Sequence, residues 1–399
     1  MKREKNELIF EKKIGIESLI TSFSNTQNQK ALEEQLLQDD ACVFLKGSVG
    51  SGVSFIIANS FKTVGKTMLY LCEDREKAAY QLNDFERILG EDNVLFFPSS
   101  YRKPYQTETT DNANVLLRSE VLTKLGNSKK PKLIVSYPQA VFEKVVSHST
   151  LKKNTLEVIK DSRLSLDFVN EMLFEYHFNR VDFVTQPGEF SVRGGIIDVF
   201  SFSNQHPYRI EFYDDQVESL RSFDVATQLS ISTLNKIKLL PNTSEGFTKA
   251  KRKSIIEVIA PKGVLITQNF DFIAARLAHF YEEAEASFAA LATETKHLPP
   301  DVLFISKENF IQTASMLSLV SLTKSTAVNT QQNHFFKQSP QPAFNRQFDR
   351  LIVYLNDNHQ KGYQNFICCA SEQQAQRFKD IFEEGEETVH YKTLVNPLF

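Results

Sequence analysis

The sequence predicts an α/β protein with three parts: a degenerate P-loop NTPase-like lobe, an inserted α/β domain that ends in an antiparallel sheet, and a small C-terminal α/β domain. Three observations lead to this prediction. A glycine-rich loop separates an apolar strand from a helix at residues 41–62, and short strands with turn signals between them occupy residues 180–224. A second apolar strand at 264–267 returns the chain to the lobe.

The glycine-rich loop has the outline of a phosphate-binding motif without its cation. In the segment GSVGSGVS, Gly47, Gly52 and Ser54 match the pattern G-x-x-x-x-G-K-[ST], and Gly50 adds a further glycine. A working loop needs a lysine that reaches the β- and γ-phosphates, but Val53 stands there and supplies neither charge nor donor. The loop therefore favours a protein that is not an enzyme, with a chance Gly/Ser turn as the alternative.

The elements around the loop are those that a nucleotide-binding lobe requires. The pattern predicts a strand at 41–45, a helix at 53–62, a second strand at 66–72 and a helix at 75–89. Asp74 precedes this last helix and is a suitable N-cap, because its carboxylate can accept from free amides of the first turn. The order strand, loop, helix, strand, helix is typical of nucleotide-binding folds.

A second position supports the loss of hydrolysis. In active NTPases an acidic residue at the end of a strand holds Mg²⁺, and a neighbouring acid can position the attacking water. The best candidate strand, at 264–267, is followed by Gln268 and Asn269. Two amides bind the metal weakly and take no proton. The alternative interpretation is an ordinary buried strand that ends in polar residues.

Composition and charge restrict the function further. The 399-residue chain is long enough for two to four domains, and its net charge of −3 provides no general basic field for nucleic acid. Short basic runs at 129–132 and 249–253 are typical of solvated loops. The sequence has no apolar run long enough to cross a bilayer and no secretion signal at its start. These features predict a cytoplasmic protein with no membrane partner.

Cysteines and histidines do not indicate a catalytic or metal site. Cys42, Cys72, Cys368 and Cys369 lie in predicted strands, where they are interpreted as small buried residues in a reducing compartment. The eight histidines lack the spacing of metal ligands. The predicted metal ligands are therefore none, and no Ser/His/Asp arrangement is evident.

The inserted region contains one strand with clear alternation. Tyr208, Ile210 and Phe212 share one face, which is predicted to be buried. The opposite face carries Arg209, Glu211 and Tyr213. Arginine and tyrosine are frequent in interface hot spots, and an arginine fork can pair with a carboxylate, so this face suits a protein partner. An ordinary solvated sheet face remains the alternative.

Several motifs together resemble the bacterial transcription-repair coupling factor family, in the module that this family shares with the excision-repair protein UvrB. The motifs are PGEFSVRGGIIDVF at 187–200, YRIEFYDD at 208–215, SLRSFDVATQ at 219–228, FPSSY at 97–101, Pro104-Tyr105 and QPAF at 341–344. UvrB keeps the lysine of the phosphate loop, whereas the coupling factor module is degenerate there. Val53 therefore indicates the coupling factor rather than UvrB.

The resemblance implies a role and a set of contact residues. It implies recruitment of the damage-search protein UvrA through Arg193, Arg209 and Tyr213, with Glu211 as a weaker addition. UvrB has a further arginine two residues before the position of Arg193, where this sequence has Ser191. The resemblance also implies that UvrB's DNA-clamping hairpin is absent, because only a short segment separates residue 101 from a predicted helix at 113–125.

The resemblance further implies that ATP, Mg²⁺, RNA polymerase and double-stranded DNA are handled by translocase and polymerase-binding domains outside this chain, and that this chain has no cofactor of its own. The chain is therefore expected to be a fragment of a longer protein. The main alternative is an ATP-dependent, UvrB-like DNA-damage-binding enzyme with an unconventional P-loop.

Both lines of reasoning give the same domain organisation. Residues 1–152 form the first part of the UvrB-like lobe, 153–242 the inserted UvrA-binding domain, 243–345 the second part of the lobe, and 346–399 the start of a small α/β domain. In this last domain the pattern predicts a helix at 348–355, a strand at 365–370 and a helix at 372–382.

Overall fold

The computed structural model describes most of the chain. The described residues are 16–100, 104–105, 111–127, 130–146, 150, 153–202, 204–241, 251–260, 262–291, 298–328, 332–384 and 388–395. They form two compact units: residues 16–31, 47–59 and 337–395 belong to the first, and residues 32–46 and 60–336 to the second. Two helices, α2 (Gln27–Leu37) and α3 (Gly52–Val64), carry residues of both units.

The second unit is organised around a seven-stranded sheet in which every pair of neighbouring strands is parallel. In spatial order, the strands are β17 (Gln332–Phe335), β1 (Cys42–Lys46), β16 (Ser318–Ser321), β15 (Val264–Thr267), β2 (Met68–Leu71), β4 (Leu133–Ser136) and β3 (Val94–Phe96). The predicted strands at 41–45, 66–72 and 264–267 are confirmed.

Four interior strands of this sheet are buried along their whole length and are mainly apolar for a physical reason. All four residues are buried in β2, β4, β15 and β16, and a strand covered on both faces cannot alternate between apolar and polar side chains. β15 lies between β16 and β2, with Val264 opposite both Ser318 and Met68. The chain therefore leaves this sheet after β4 and returns in its middle.

The remaining helices are α1 (Ile16–Ser24), α4 (Arg75–Leu89), α5 (Asn112–Asn127), α6 (Pro138–Phe142), α7 (Leu166–Glu175), α8 (Ile255–Ile259), α9 (Phe270–Ala289), α10 (Pro300–Leu303), α11 (Lys307–Ala314), α12 (Phe348–Gln360) and α13 (Glu372–Glu384). The prediction for α4 is confirmed at both ends. The Asp74 carboxylate accepts from the Lys77 amide at 2.7 Å, and Gly90 follows the helix with φ of 83°.

A carboxylate at the start of α9 holds the loop that follows β16. Asp271 accepts hydrogen bonds from the Ser325 hydroxyl, from the Thr326 amide and hydroxyl at 2.8 and 2.7 Å, and from the Ala327 amide at 3.4 Å. Burial alone raises the pKa of Asp271, but these hydrogen bonds outweigh burial and lower its pKa to about 2. The loop is thereby fixed to α9 by an ionised side chain.

The region that follows β4 contains a six-stranded sheet. In spatial order, its strands are β12 (Ser230–Thr233), β11 (Gln216–Phe223), β10 (Tyr208–Tyr213), β9 (Ile196–Val199), β8 (Glu189–Arg193) and β7 (Asn179–Arg180). The pairs are antiparallel as expected, except that the two residues of β7 pair with β8 in parallel. Two short antiparallel pairs also form: β6 (Leu156–Ile159) with β13 (Lys236–Leu239), and β5 (Val145–Val146) with β14 (Arg252–Lys253).

One face of the six-stranded sheet is the core of this region. Tyr208, Ile210 and Phe212 are buried, which confirms the alternation in β10. Helix α7 packs Val169 and Leu173 into the same apolar cluster. The other face of the sheet carries polar side chains together with a second, small apolar cluster of Val184, Phe200 and Phe223.

The described C-terminal residues pair β18 (Phe366–Cys369) in parallel with β19 (Lys392–Val395). Ile352 and Leu355 of α12 and Phe382 of α13 form the centre of a small apolar cluster. The two predicted helices and the strand at 365–370 are confirmed. The prediction that the four cysteines are buried is wrong for Cys368, which is exposed, and Cys42 is only partly buried.

The predicted domain boundaries near 152 and 242 fall beside or within residues 151–152 and 242–250, which are outside the described residues, as are Tyr101 and parts of the basic runs at 129–132 and 249–253. The division into four segments stays a prediction.

Candidate functional site

The polar face of the six-stranded sheet is organised around one buried carboxylate. Asp198 in β9 is 1% exposed, and it accepts two hydrogen bonds from the Arg209 fork, at 2.7 Å from Nε and 2.9 Å from a terminal nitrogen. A terminal nitrogen of Arg193 donates to the same carboxylate. Two guanidinium groups thus share one carboxylate, so this three-residue cluster has a net charge of +1.

The two arginines differ in how far they reach the solvent. The Arg209 side chain is 19% exposed and lies over the buried Phe223 ring, 4.7 Å from its centroid. Hydrogen bonding to Asp198 raises the pKa of Arg209. The Arg193 side chain is 43% exposed and lies 5.2 Å from the centroid of the Phe183 ring. Arg193 is therefore the more accessible cation of the pair.

Glu211 is also held within the sheet. Its carboxylate accepts hydrogen bonds from the Ser219 hydroxyl and from a terminal nitrogen of Arg221, both on β11. The expectation that Arg209 and Glu211 point away from the core is correct. However, each is paired with a neighbour on its own sheet, so a partner meets an ion-paired network rather than isolated side chains.

Two exposed aromatic residues complete the face. Tyr213 is 70% exposed at the end of β10, and Phe183 is 60% exposed beneath Arg193. An exposed tyrosine offers both an apolar ring and a hydroxyl to a partner. We use the term ridge for Phe183, Arg193, Arg209, Glu211 and Tyr213.

Tight turns place the ridge residues. Gly194, with φ of 59°, lies in the turn from β8 to β9 and thus sets Arg193 close to Asp198 in the next strand. Asp214, with φ of 49°, begins the turn directly after Tyr213. The register then aligns Asp198 with Arg209. Local turn geometry therefore determines which charges meet.

Sequence reasoning missed Asp198, Phe183 and Arg221. The signal for Asp198 is that it interrupts an apolar strand with a charge, but its partner could not be chosen before the register of β9 and β10 was known. Ser191, at the position of the additional UvrB arginine, is buried and donates to the Asp182 carbonyl at 2.9 Å. It presents no side chain on the ridge.

The predicted nucleotide loop joins β1 to α3, as expected. Gly47 and Gly50 have positive φ angles of 75° and 55°, which suits glycine. Gly52 begins α3, Val53 is partly buried and Ser54 is buried. The loop and the helix are thus confirmed as structural elements, and their relation to nucleotides stays a prediction.

Gln268 and Asn269 occupy the positions predicted for the acidic residues of an active NTPase, and Asn269 has a structural role. Asn269 is the N-cap of α9, since its side chain accepts from the Phe272 amide at 3.0 Å. Gln268 precedes it at the end of β15, and β16 separates β15 from β1 in the sheet. The amide at 269 therefore stabilises a helix start.

Within the described part of the chain, no three His, Cys, Asp or Glu residues are grouped so that they could hold a metal ion. In that same part, no helix is both long and apolar enough to span a membrane.

The comparisons assign the ridge to a known class of domain. Residues 156–244 match the family described as "UvrB interaction domain". This segment contains the whole six-stranded sheet and therefore every residue of the ridge.

The chain is also similar to transcription-repair-coupling factors. It is 25% identical to that of Haemophilus influenzae over 276 residues, which is 66% of this chain and 23% of the relative. It is 33% identical to that of Rickettsia bellii over 204 residues, and 30% identical to that of Bacillus subtilis over 213 residues. These matches cover 49% and 53% of this chain, and 18% and 17% of the relatives. The resemblance to this family is confirmed, and the chain spans about a fifth of the relatives' length.

Proposed function

We propose that this chain is a cytoplasmic adaptor that recruits UvrA to transcription-coupled nucleotide excision repair. The ridge is the docking surface, and Arg193 and Tyr213 are its main contacts. The observation that carries this proposal is the Asp198 centre within the UvrB interaction domain: it holds two arginines in place and leaves one positive charge uncompensated.

The contacts support docking energetically. Arginine loses rotamer freedom when it binds, but the Asp198 carboxylate already restricts both guanidinium groups, so less entropy remains to be lost. The uncompensated charge suits an acidic partner surface, and the exposed rings of Phe183 and Tyr213 provide apolar area beside it. Such an arrangement is typical of an interaction hot spot.

The activities of the whole protein are proposed for the remainder of the relatives' length. There, ATP and Mg²⁺ drive a translocase that moves on double-stranded DNA and displaces stalled RNA polymerase. No catalytic role is proposed for this chain, because Val53 supplies no cation and Gln268 and Asn269 supply no carboxylate.

The alternative, an ATP-dependent UvrB-like DNA-damage-binding enzyme, predicts ATP turnover that is lost when Ser54 is changed to alanine. We expect no turnover from the purified chain in a coupled ATPase assay, with or without damaged DNA. Turnover that depends on Ser54 would favour the enzyme.

Titration with UvrA tests the adaptor directly. We expect Arg193→Ala and Tyr213→Ala each to weaken binding by about 10- to 30-fold, as for interface hot spots. Lys236→Ala is the matched control, because Lys236 is an exposed cation in the same domain but on β13. Unchanged affinity of both ridge variants would contradict the assignment of the docking surface.

Charge reversal at Arg209 is a poor test. Arg209→Glu would set a second carboxylate against the buried Asp198, so loss of binding could come from unfolding of the sheet. Arg193 is more exposed and tolerates truncation with a smaller structural cost.

A further inference from the structure

A side chain from a distant segment of the chain lies on the glycine loop. The side-chain oxygen of Gln338 accepts a hydrogen bond from the Val49 amide at 2.8 Å. The backbone amide of Gln338 donates to the Gly47 carbonyl at 3.0 Å. The loop is therefore held at two points by one residue, and all of these residues belong to the same compact unit.

The geometry points to Gln338 as the resident ligand of the degenerate loop: its amide oxygen takes the place that a phosphate oxygen has in a working P-loop, and the loop is thereby closed to nucleotides. This inference does not depend on UvrA docking, because it concerns a different compact unit from the ridge.

The backbone donors of the loop support this inference. In a phosphate-binding loop the amides point at the ligand. Here the Val49 amide binds Gln338, the Gly52 amide donates to the Val49 carbonyl at 3.1 Å, and the Val53 amide donates to the Gly50 carbonyl at 3.4 Å. Three amides of the loop are thus engaged within the chain.

The space above the loop is also filled. A Cβ atom added to Gly52 would lie 2.8 Å from both Cδ and Nε2 of Gln338, and closer still to Oε1. Gly52 is the first residue of α3 and has no positive φ angle, so its backbone alone does not require glycine. The Gln338 side chain is therefore the group that a larger residue at this position would displace.

The charge of the ligand matches the loop. A phosphate brings negative charge, which the lysine of a working motif balances. With Val53 in that position a phosphate would lack its cation, whereas a neutral amide oxygen needs only an N–H donor. The substitution at Val53 and the presence of Gln338 therefore agree chemically.

The contact between Gln338 and the glycine loop fixes the segment that follows β17. Gln338 lies only two residues after Phe336, whose amide donates to the Lys46 carbonyl at 2.8 Å at the end of β1. The loop thus holds the segment that leads from β17 toward α12. A motif that elsewhere holds a nucleotide here holds a part of its own chain.

A double-mutant cycle on the full 399-residue chain tests the contact. We expect Gly52→Ala to lower the melting temperature, since the new methyl group meets the Gln338 side chain. In a Gln338→Ala background the same change is expected to raise the melting temperature or leave it unaltered, because alanine is otherwise favoured over glycine in a helix. An equal decrease in both backgrounds would overturn the contact.

Two further variants separate the amide from simple packing. Gln338→Glu keeps an acceptor oxygen and nearly the same shape, so we expect it to stay closer to the wild-type melting temperature than Gln338→Ala. Gln341→Ala is the matched control, because Gln341 is a nearby exposed glutamine, and it should have no effect. A Gln341 effect as large as that of Gln338, or a Glu variant no better than Ala, would contradict a specific ligand role.

Nucleotide binding tests the closure. We expect Val53→Lys alone not to bind Mg·ATP in a titration with a fluorescent ATP analogue, because Gln338 still fills the loop. The double variant Val53→Lys with Gln338→Ala should bind at least tenfold more tightly. If the two variants bind the analogue equally tightly, or if neither binds it, closure of the loop by Gln338 is overturned.

Discussion

Replacement of Asp198 with asparagine removes the charge on which the ridge is built while keeping the shape of the side chain. The carboxylate is 1% exposed and accepts three hydrogen bonds from two guanidinium groups. Asparagine retains one acceptor oxygen but turns an NH₂ group toward donors that cannot accept from it. The two arginines are then left with a partner that has no charge.

The expected cost follows from burial. Removal of one partner of a buried ion pair costs about 3–5 kcal/mol. Arg193 is 43% exposed and can return to water, so part of that cost is recovered. We therefore expect Asp198→Asn to destabilise the sheet by about 2–3 kcal/mol, which lies between the cost for a buried pair and that for a surface pair.

Hydrogen exchange followed by mass spectrometry measures this locally and therefore assigns the change to the six-stranded sheet in a chain that has more than one compact unit. Amides in β8, β9 and β10 should exchange about 30- to 150-fold faster in the variant, the factor that corresponds to 2–3 kcal/mol. Asp215→Asn, an exposed turn residue, is the control and should change exchange little. Acceleration of less than about threefold would mean that the carboxylate does not stabilise the sheet.

Three other predictions concern residues outside the ridge. The pKa of Asp271 is about 2 in the folded chain, below its unfolded value of about 3.9. Its contribution to folding stability is therefore complete near neutral pH and is lost as the pH falls from about 4 to 2. Asp271→Asn should reduce the loss of stability over this pH range by about 1 kcal/mol. Arg118→Ala should lower the local stability of α5, measured by hydrogen exchange, by about 3–5 kcal/mol, because this arginine is buried and donates to three backbone carbonyls. The control Lys124→Ala on the same helix should change that stability by less than about 0.5 kcal/mol. Gly188→Ala should cost about 1–3 kcal/mol, since its φ is 86° and a Cβ would lie 2.7 Å from the Phe202 ring; a melting temperature equal to wild type would contradict this.

The parts of the fold that sequence reasoning predicted best are those determined locally. Helix α4 was predicted well, because its apolar spacing and the cap at Asp74 are signals between residues close in the sequence. The alternation of β10 was equally clear, since each side chain's face follows from its position in the strand. In both cases the prediction used only residues that are close together in the sequence.

The features that the sequence did not predict depend on contacts between distant segments of the chain. Arg209 was predicted to contact a protein partner, which stays a prediction. Its bond to Asp198, eleven residues earlier, was not predicted, because the length of the intervening loop does not reveal the register. Gln338 meets the glycine loop from a separation of 289 residues. No pattern in either segment signals the other. The exposure of Cys368 likewise depends on which side of β18 is covered.

The parallel sheet also imposes an order on folding. Among the described residues, strand β1 pairs with β16 and β17, so these neighbours arrive roughly 280 residues later in the chain, and such distant pairing is slow. At ordinary rates of translation this delay is roughly 15–55 s. The six-stranded sheet closes through short hairpins and can fold within that interval, so we expect the newly made chain to form the proposed docking surface while β1 still lacks its neighbours.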